Sequence, residues 1–386
     1  MNEPILQFGT SRFLLAHVAL FVSQALERGQ AIGGISVVQT TDNPASRERI
    51  AALNRADSYS VKIRGRHAGS VVDTTIACRG IRAAWIAGED WTAIRRAMIE
   101  AVRVVVSNTG DTGYRLDERD TAAILERDET VPYSFPAKLL ALLHARWRER
   151  PDAGVTVFPC ELVANNGDSL RGIVVDLARQ WAVPGPFITY LEANCVWVNS
   201  LVDRIVSEPL DPVGAVAEPY ALWAIERREG MELPCSHESM VLTGNLRSYE
   251  QLKLFFLNLG HSWIAEQWLN GSRSPSATVF HAMNDPRVRD DLEAVWHEEV
   301  LPVFHALNLG SRAHDYVATV RERFLNPYLE HRIADIAQNH VEKVNRRIAP
   351  LVALADSLSL EAAQPRLRSM LGKYGLAQTI RRDQAS

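Results

Sequence analysis

Lys253, Asn258 and His261 stand within Tyr-Glu-Gln-Leu-Lys-Leu-Phe-Phe-Leu-Asn-Leu-Gly-His, residues 249–261, a stretch otherwise apolar on nearly every side. An ammonium, an amide and an imidazole in such a helix need either several buried partners or a chemical task. At about 100° per residue, Asn258 lies roughly 140° round from Lys253 and His261 roughly 80° round, so all three share one broad side. Phe255, Phe256, Leu259 and Trp263 take the other. A Lys in partly apolar surroundings loses solvation of its charged form; its pKa falls toward neutrality, and it can take a proton from an alcohol or return one to a carbonyl. The plainer reading is a snorkelling Lys beside a core His.

Such residues need a scaffold. Residues 5–8 read as a short strand, 9–12 as a turn, and 13–28 as a helix closed by Gly29 at the position of a C-terminal cap. A second β-rich run follows at 34–40. Strand, tight glycine turn, helix and strand in this order open a doubly wound nucleotide-binding domain. The β-like runs 102–106 and 155–158, separated by helical stretches such as 135–148, predict a parallel sheet. From about Ser239 onward, 250–269, 290–307, 314–324 and 328–339 look helical and convincing strands disappear. The boundary is expected near 229–237, where Arg-Arg-Glu-Gly and Leu-Pro interrupt the periodicity. The expected fold is an α/β Rossmann-type NAD-binding domain, residues 1–236, followed by a mainly α-helical substrate and catalytic domain, residues 237–386.

With 386 residues the chain is long enough for two domains. Apolar residues at 47%, charged residues at 23% and a formal charge of -4 give no field suited to nucleic acid or an anionic membrane, and the expected partner is a small molecule. Cys78, Cys160, Cys195 and Cys235 are scattered without a C-x-x-C pair, so neither a metal site nor a redox dithiol is expected. No basic stretch followed by an apolar core opens the chain, and no run of about 18 apolar residues occurs, so a cytoplasmic, non-membrane protein is expected.

The turn Gly9-Thr10-Ser11-Arg12-Phe13-Leu14 keeps only the first glycine of a dinucleotide fingerprint. Ser11 could offer a hydroxyl and an amide to phosphate at the helix start, and Arg12 could add charge. Taken alone, this is as compatible with a plain strand-to-helix turn as with a cofactor site; the βαβ context favours the cofactor. After the second strand, Asp42 could accept hydrogen bonds from the adenosine ribose, favouring NAD over NADP, or, with Asn43-Pro44, form a turn that caps the next helix. Ser107-Asn108-Thr109 follows the Val-rich strand, at the sheet end where the nicotinamide half of a cofactor would pass.

Several ordered motifs carry a family resemblance: Gln7-Phe8-Gly9 with Phe13, Ser107-Asn108-Thr109, Ser134-Phe135-Pro136-Ala137-Lys138, Pro159-Cys160-Glu161-Leu162 through Asn166-Gly167-Asp168, Asn199-Ser200-Leu201-Val202-Asp203-Arg204, Glu218-Pro219 and Arg323-Phe324-x-Asn326-Pro327. Together they resemble, from about residue 5 to 345, the long-chain mannitol dehydrogenase family, which includes mannitol 2-dehydrogenase and the tagaturonate and fructuronate reductases. The resemblance implies a nicotinamide cofactor and metal-independent hydride transfer between a secondary alcohol and a ketone. It also implies that Lys253, in the motif K-x-x-x-x-N-x-x-H, is the acid/base, that Asn258 helps hold the reacting oxygen, and that His261 contacts substrate. Gly9, Ser11, Arg12, Phe13, Asp42, Ser107, Asn108 and Thr109 fall to the cofactor.

The chain departs from the polyol-oxidising pattern at Leu162, where those enzymes carry an Asn that shares the oxyanion role. Asn165 or Asn166 could compensate at the substrate, or the pair could form a turn with left-handed backbone. At an expected helix start, Asn326 could cap and Pro327 suits the first turn. Arg323 could reach a substrate hydroxyl or carboxylate, with His331 one turn into the following helix on the same side; alternatively Arg323 satisfies carbonyls. The expected function is an NAD-dependent oxidoreductase of a sugar acid (ketouronate and aldonate) or, less favoured, a neutral polyol. The alternative is a noncatalytic member that binds a nucleotide or sugar.

Overall fold

The computed structural model describes residues 3–41, 43–110, 112–271, 273–360 and 364–376. They fall into two compact units. The first comprises Met1–Ile63, Thr74–Ala217 and Ala221–Leu246, and the second Arg64–Asp73, Glu218–Tyr220 and Arg247–Ser386.

The first unit is built on a six-stranded parallel sheet of β1 (Ile5–Phe8), β2 (Ile35–Gln39), β3 (Ile81–Ile86), β4 (Val104–Ser107), β5 (Thr156–Pro159) and β6 (Val196–Trp197), in spatial order 3-2-1-4-5-6. This is the Rossmann order, whose direction of winding reverses between β1 and β4. Residues of β1, β2, β4 and β5 are buried throughout, as expected of parallel strands covered by helices on both faces, and that is why they lack the alternation of apolar and exposed polar residues seen in half-buried strands. The helix Phe135–Glu149 starts where the Ser134 hydroxyl accepts from the Ala137 amide, with Pro136 in its first turn, and its leucines fill the core beside Ile94, Met98 and Leu170.

The single helix expected over 13–28 is two, Arg12–Leu15 and Val18–Glu27, because His17 leaves helical geometry at φ -127 and ψ -94. Gly29 follows with φ +67, the left-handed conformation of a glycine stop. Two smaller sheets lay outside the sequence expectation. In one, Gly214–Ala217 pairs in parallel with residues 60–63 of the strand Tyr59–His67. In the other, Leu222–Glu226 lies between Ser200–Asp203 and Met240–Thr243. The last strand corrects the expectation that strands end by Ser239.

The second unit is mainly helical. Residues 246–270 run as Leu246–Leu252, a wide π-type turn Lys253–Asn258, and Leu259–Asn270. Phe255, Phe256 and Leu259 point into a core shared with Trp296, Phe304, Val320 and Phe324. Gly260 permits that packing: a Cβ there would come within 2.9 Å of Trp296 and 3.0 Å of Phe324. The helix expected over 328–339 is largely absent. After the Asn326-Pro327 turn the chain is extended, and Val279 N–H donates to His331 O at 3.0 Å while Ile333 N–H donates to Ala277 O at 2.9 Å. Only Ile333–Ile336 coils before the helix His340–Arg347. Among the described residues no helix is long and apolar enough to cross a membrane.

Candidate functional site

In the first unit, the end of β1 is joined by backbone to both neighbouring strands: Gly9 N–H donates to Val38 O of β2, and Asn108 N–H, just after β4, donates to Phe8 O, each at 3.0 Å. Gly9 has φ +112, and a Cβ there would lie 2.7 Å from the Asn108 carbonyl oxygen. Only glycine fits this close approach without strain. The loop after β4 is gripped by Glu161, a buried carboxylate whose importance the sequence reading missed. It accepts from the Ser107 hydroxyl, the Thr109 amide and the Thr109 hydroxyl, each at 3.0 Å, and from Tyr114 at 3.3 Å. The Asn108 amide donates to Cys160 O at 2.8 Å. The side chains of residues 107–109 are thus tied to the scaffold.

Ser11 caps Arg12–Leu15 by accepting from the Leu14 amide at 3.4 Å, Arg12 is exposed, and Phe13 stacks on His17 with centroids 4.9 Å apart. Asp42 lies outside the described residues. Asn165 is exposed in left-handed conformation (φ 48, ψ 49), so the turn geometry weighed for this pair is what the backbone adopts there. Asn166 is 1% exposed. Its Nδ2 donates to the carbonyls of Pro159, Glu161 and Ser200, and its Oδ1 accepts from the amides of Gly167 and Ser200. Every hydrogen-bonding position of that amide is used on the scaffold. Leu162 is 75% exposed.

In the second unit, Lys253 and Asn258 begin and end the wide turn, both half-buried, and His261 follows on Leu259–Asn270. A wide turn shifts carbonyls out of the regular helical ladder, and two find side-chain donors: Trp296 Nε1 to Phe256 O at 3.2 Å and Arg347 Nη1 to Asn258 O at 3.1 Å. Arg347 also donates to the Ser262 hydroxyl at 3.0 Å. The His261 ring stacks on Phe324 and meets His331 edge-on, both at 4.6 Å between centroids.

Burial first, and then His331 when protonated and the cations Arg347, Arg323 and Lys343, hold His261 well below the usual imidazole pKa. His331 is lowered by burial, with Asp335 opposing and Arg323, Arg347 and Lys343 reinforcing the shift. Both rings are therefore neutral bases near pH 7.

His331 does meet His261, although from an extended segment and not from a helix. Arg323, weighed as a substrate contact, forms a double hydrogen-bonded ion pair with Glu218 at 2.8–3.1 Å, with both side chains almost completely buried, and its guanidinium lies over Tyr220 at 4.3 Å. The arginine anchors the unit's interior through this pair. Asn326 donates to Arg64 O at 3.0 Å and accepts from the Tyr328 amide at 3.0 Å, closing the turn before His331.

Residues 3–234 match the mannitol dehydrogenase Rossmann domain and residues 245–370 the mannitol dehydrogenase C-terminal domain. The chain is 30% identical over 372 residues to the altronate oxidoreductase of Bacillus subtilis (strain 168), covering 90% of this chain and 74% of that protein. It is 31% identical over 375 residues to the altronate oxidoreductase of Halalkalibacterium halodurans, covering 91% and 70%. Two solved structures share the fold: a D-sorbitol dehydrogenase in substrate-free form (TM-score 0.79, 22% identity, 92% of this chain and 76% of that one) and the Pseudomonas fluorescens mannitol 2-dehydrogenase ternary complex with NAD and D-mannitol (TM-score 0.70, 18% identity, 98% and 84%).

Proposed function

The chain belongs to the mannitol dehydrogenase family, and on that premise we propose that it interconverts an aldonate and the corresponding ketouronate, using NAD, with Lys253 as acid/base. The broader class is an oxidoreductase acting on a CH–OH group, as the altronate oxidoreductases it resembles are named. In this reading residues 1–236 carry the cofactor and residues 237–386 the substrate and the proton transfer.

The first unit fits a dinucleotide. Gly9 and residues 107–109 flank the point where the winding reverses, the place where such sheets bind nucleotides, and the missing Cβ of Gly9 lets the Asn108 carbonyl pack against the end of β1. Ser11, Arg12 and Phe13 would attend the phosphates and the residue 107–109 loop the nicotinamide half. The preference for NAD over NADP is assigned to Asp42. When bound, the nicotinamide supplies the acceptor or donor of hydride.

The protein's part is to hold the oxygen and move its proton. In oxidation Lys253 takes the hydroxyl proton as negative charge builds on the oxygen, and the Asn258 amide donates to that oxygen; in reduction Lys253 returns the proton. His261, neutral and buried, offers a hydrogen bond to a substrate hydroxyl. Asn258 carries the oxyanion duty in the second unit, since Leu162 offers no polar group and the Asn166 amide is already saturated.

The observation that favours a sugar acid over a neutral polyol is the surroundings of His261: among the described residues the permanent charges that act on it, Arg347, Arg323 and Lys343, are all cations, and only Arg323 among them has a buried carboxylate partner. The test is a panel of aldonates, ketouronates and alditols assayed in both directions by nicotinamide absorbance with each cofactor. The reading predicts an aldonate/ketouronate pair with NAD as the best substrates; turnover confined to neutral alditols contradicts it.

A further inference from the structure

The helix His340–Arg347 carries two cations one turn apart, Lys343 and Arg347, whose surroundings differ from those of their neighbours. Glu342 and Arg346 pair with each other at 3.5 Å on the exposed side. Lys343 and Arg347 are half-buried, and among the described residues neither forms an ion pair. Their partners are neutral: Lys343 Nζ donates to Ile336 O at 2.8 Å, and Arg347 Nη1 to Asn258 O and the Ser262 hydroxyl. Like charges at this spacing repel, and loss of water makes each costlier to keep charged. Burial lowers the Arg347 pKa to about 10, with Arg346 adding to the shift; burial and then Arg347 lower that of Lys343.

A second observation is independent of these charges. His261, 7% exposed and adjacent in sequence to the Ser262 that Arg347 holds, has no hydrogen-bond partner for Nε2 among the described residues. Buried polar atoms are rarely left so. Its ring is fixed between Phe324 and His331. Among the described residues the only carboxylate acting on His331 is that of Asp335, on the exposed side of the short helix Ile333–Ile336, while Arg323 is already matched by Glu218.

We propose that Lys343 and Arg347 form an anion subsite that receives the substrate carboxylate, with His261 Nε2 bonding a hydroxyl of the same molecule. The proposal rests on the sugar-acid reading above and names the residues responsible for it. A guanidinium has five N–H donors, and the two bonds Arg347 makes through Nη1 leave others for a carboxylate. Because Arg347 also holds the backbone of Asn258, a carboxylate bound there is set at a fixed distance from the turn that carries Lys253 and Asn258. The subsite thereby selects which CH–OH along the sugar chain reacts.

The test compares D-altronate with altritol, in which a CH2OH replaces the carboxylate, in the full-length enzyme with NAD. In Lys343→Met the ratio of kcat/KM for altronate over altritol falls about 10- to 100-fold, mainly through the altronate KM, the size expected for losing a hydrogen bond to a charged group. Lys343→Arg, which keeps the charge, restores most of the ratio, and Arg347→Lys, which keeps charge but loses the fork, lowers it. If wild type prefers altronate and Lys343→Met and Arg347→Lys keep that preference, or lose both substrates in parallel, the subsite assignment is overturned while the sugar-acid reading stands. If wild type itself favours altritol, the sugar-acid reading fails and takes the subsite with it.

Discussion

Arg347 Nη1 donates to the backbone oxygen of Asn258 at 3.1 Å, so the last residue of the wide turn is held from a separate helix. Two residues earlier, Trp296 holds the Phe256 oxygen. The turn that separates Lys253 from Asn258 is therefore braced at two carbonyls by side chains, and this bracing sets the angle between the proposed proton carrier and the proposed oxyanion donor.

Trp296→Phe removes one brace and leaves a buried carbonyl without its donor. The combined loss of hydrogen bond and volume should destabilise the protein by about 2–4 kcal/mol, read by urea unfolding. If the bracing sets the geometry of Lys253 and Asn258, kcat should fall as well, with little change in cofactor affinity.

Glu218→Gln leaves the Arg323 guanidinium buried beside a neutral amide. Removing one partner of a buried pair costs about 3–5 kcal/mol, whereas replacing both by apolar groups is far milder. The double variant Glu218→Leu/Arg323→Met should therefore be more stable than Glu218→Gln, measured by denaturant midpoint. The reverse order would mean that the pair is not isolated from water.

Much of this was legible in the sequence. Unbroken Val runs such as Val104–Ser107 are characteristic of strands covered on both faces, and a Lys, an Asn and a His in an apolar helix stand out because nothing in the packing calls for them. The wide turn was not legible: with nearly every residue from Leu252 to Leu259 apolar, a period of 3.6 cannot be told from a longer one. Residues 328–339 look helical by pattern, but the segment at 277–279 offers backbone partners that extended chain satisfies better. Lys343 and Arg347 sit among other charges and read as a solvated face until Asn258 and Ser262 are seen against them. Glu161 lies in a motif that marked the family, yet the loop it grips is 52 residues away.

Gly9→Ala places a methyl 2.7 Å from the Asn108 oxygen at a φ that alanine avoids. The strain should cost about 1–3 kcal/mol. It falls between β1 and the residue 107–109 loop, so NADH affinity, followed by quenching of tryptophan fluorescence, should weaken by about tenfold or more, which is 1.4 kcal/mol or above. Unchanged affinity would place the cofactor elsewhere.

His261 gives a pH signature. Its folded pKa is depressed well below 6.5, so between pH 6.5 and the folded value the unfolded chain binds a proton that the native state does not. Stability must then rise with pH across that window and fall as the solution is acidified below 6.5. At pH 5.5 this one group costs up to about 1.4 kcal/mol. His331 and His340 are lowered too and add to the slope, while Glu266, lowered to about 2, acts only below its ordinary 4.5. His261→Asn should therefore lose less stability than wild type between pH 7.5 and 5.5. Equal losses would mean that His261 is protonated in the fold.

The central claim is that Lys253 carries the proton. The most direct measurement is kcat of Lys253→Ala for aldonate oxidation, with NADH affinity measured on the same preparation. The account predicts a fall of about 10²- to 10⁴-fold in kcat, the usual contribution of a positioned acid/base, with NADH bound nearly as in wild type. Turnover within a few-fold of wild type, with cofactor binding intact, would contradict it.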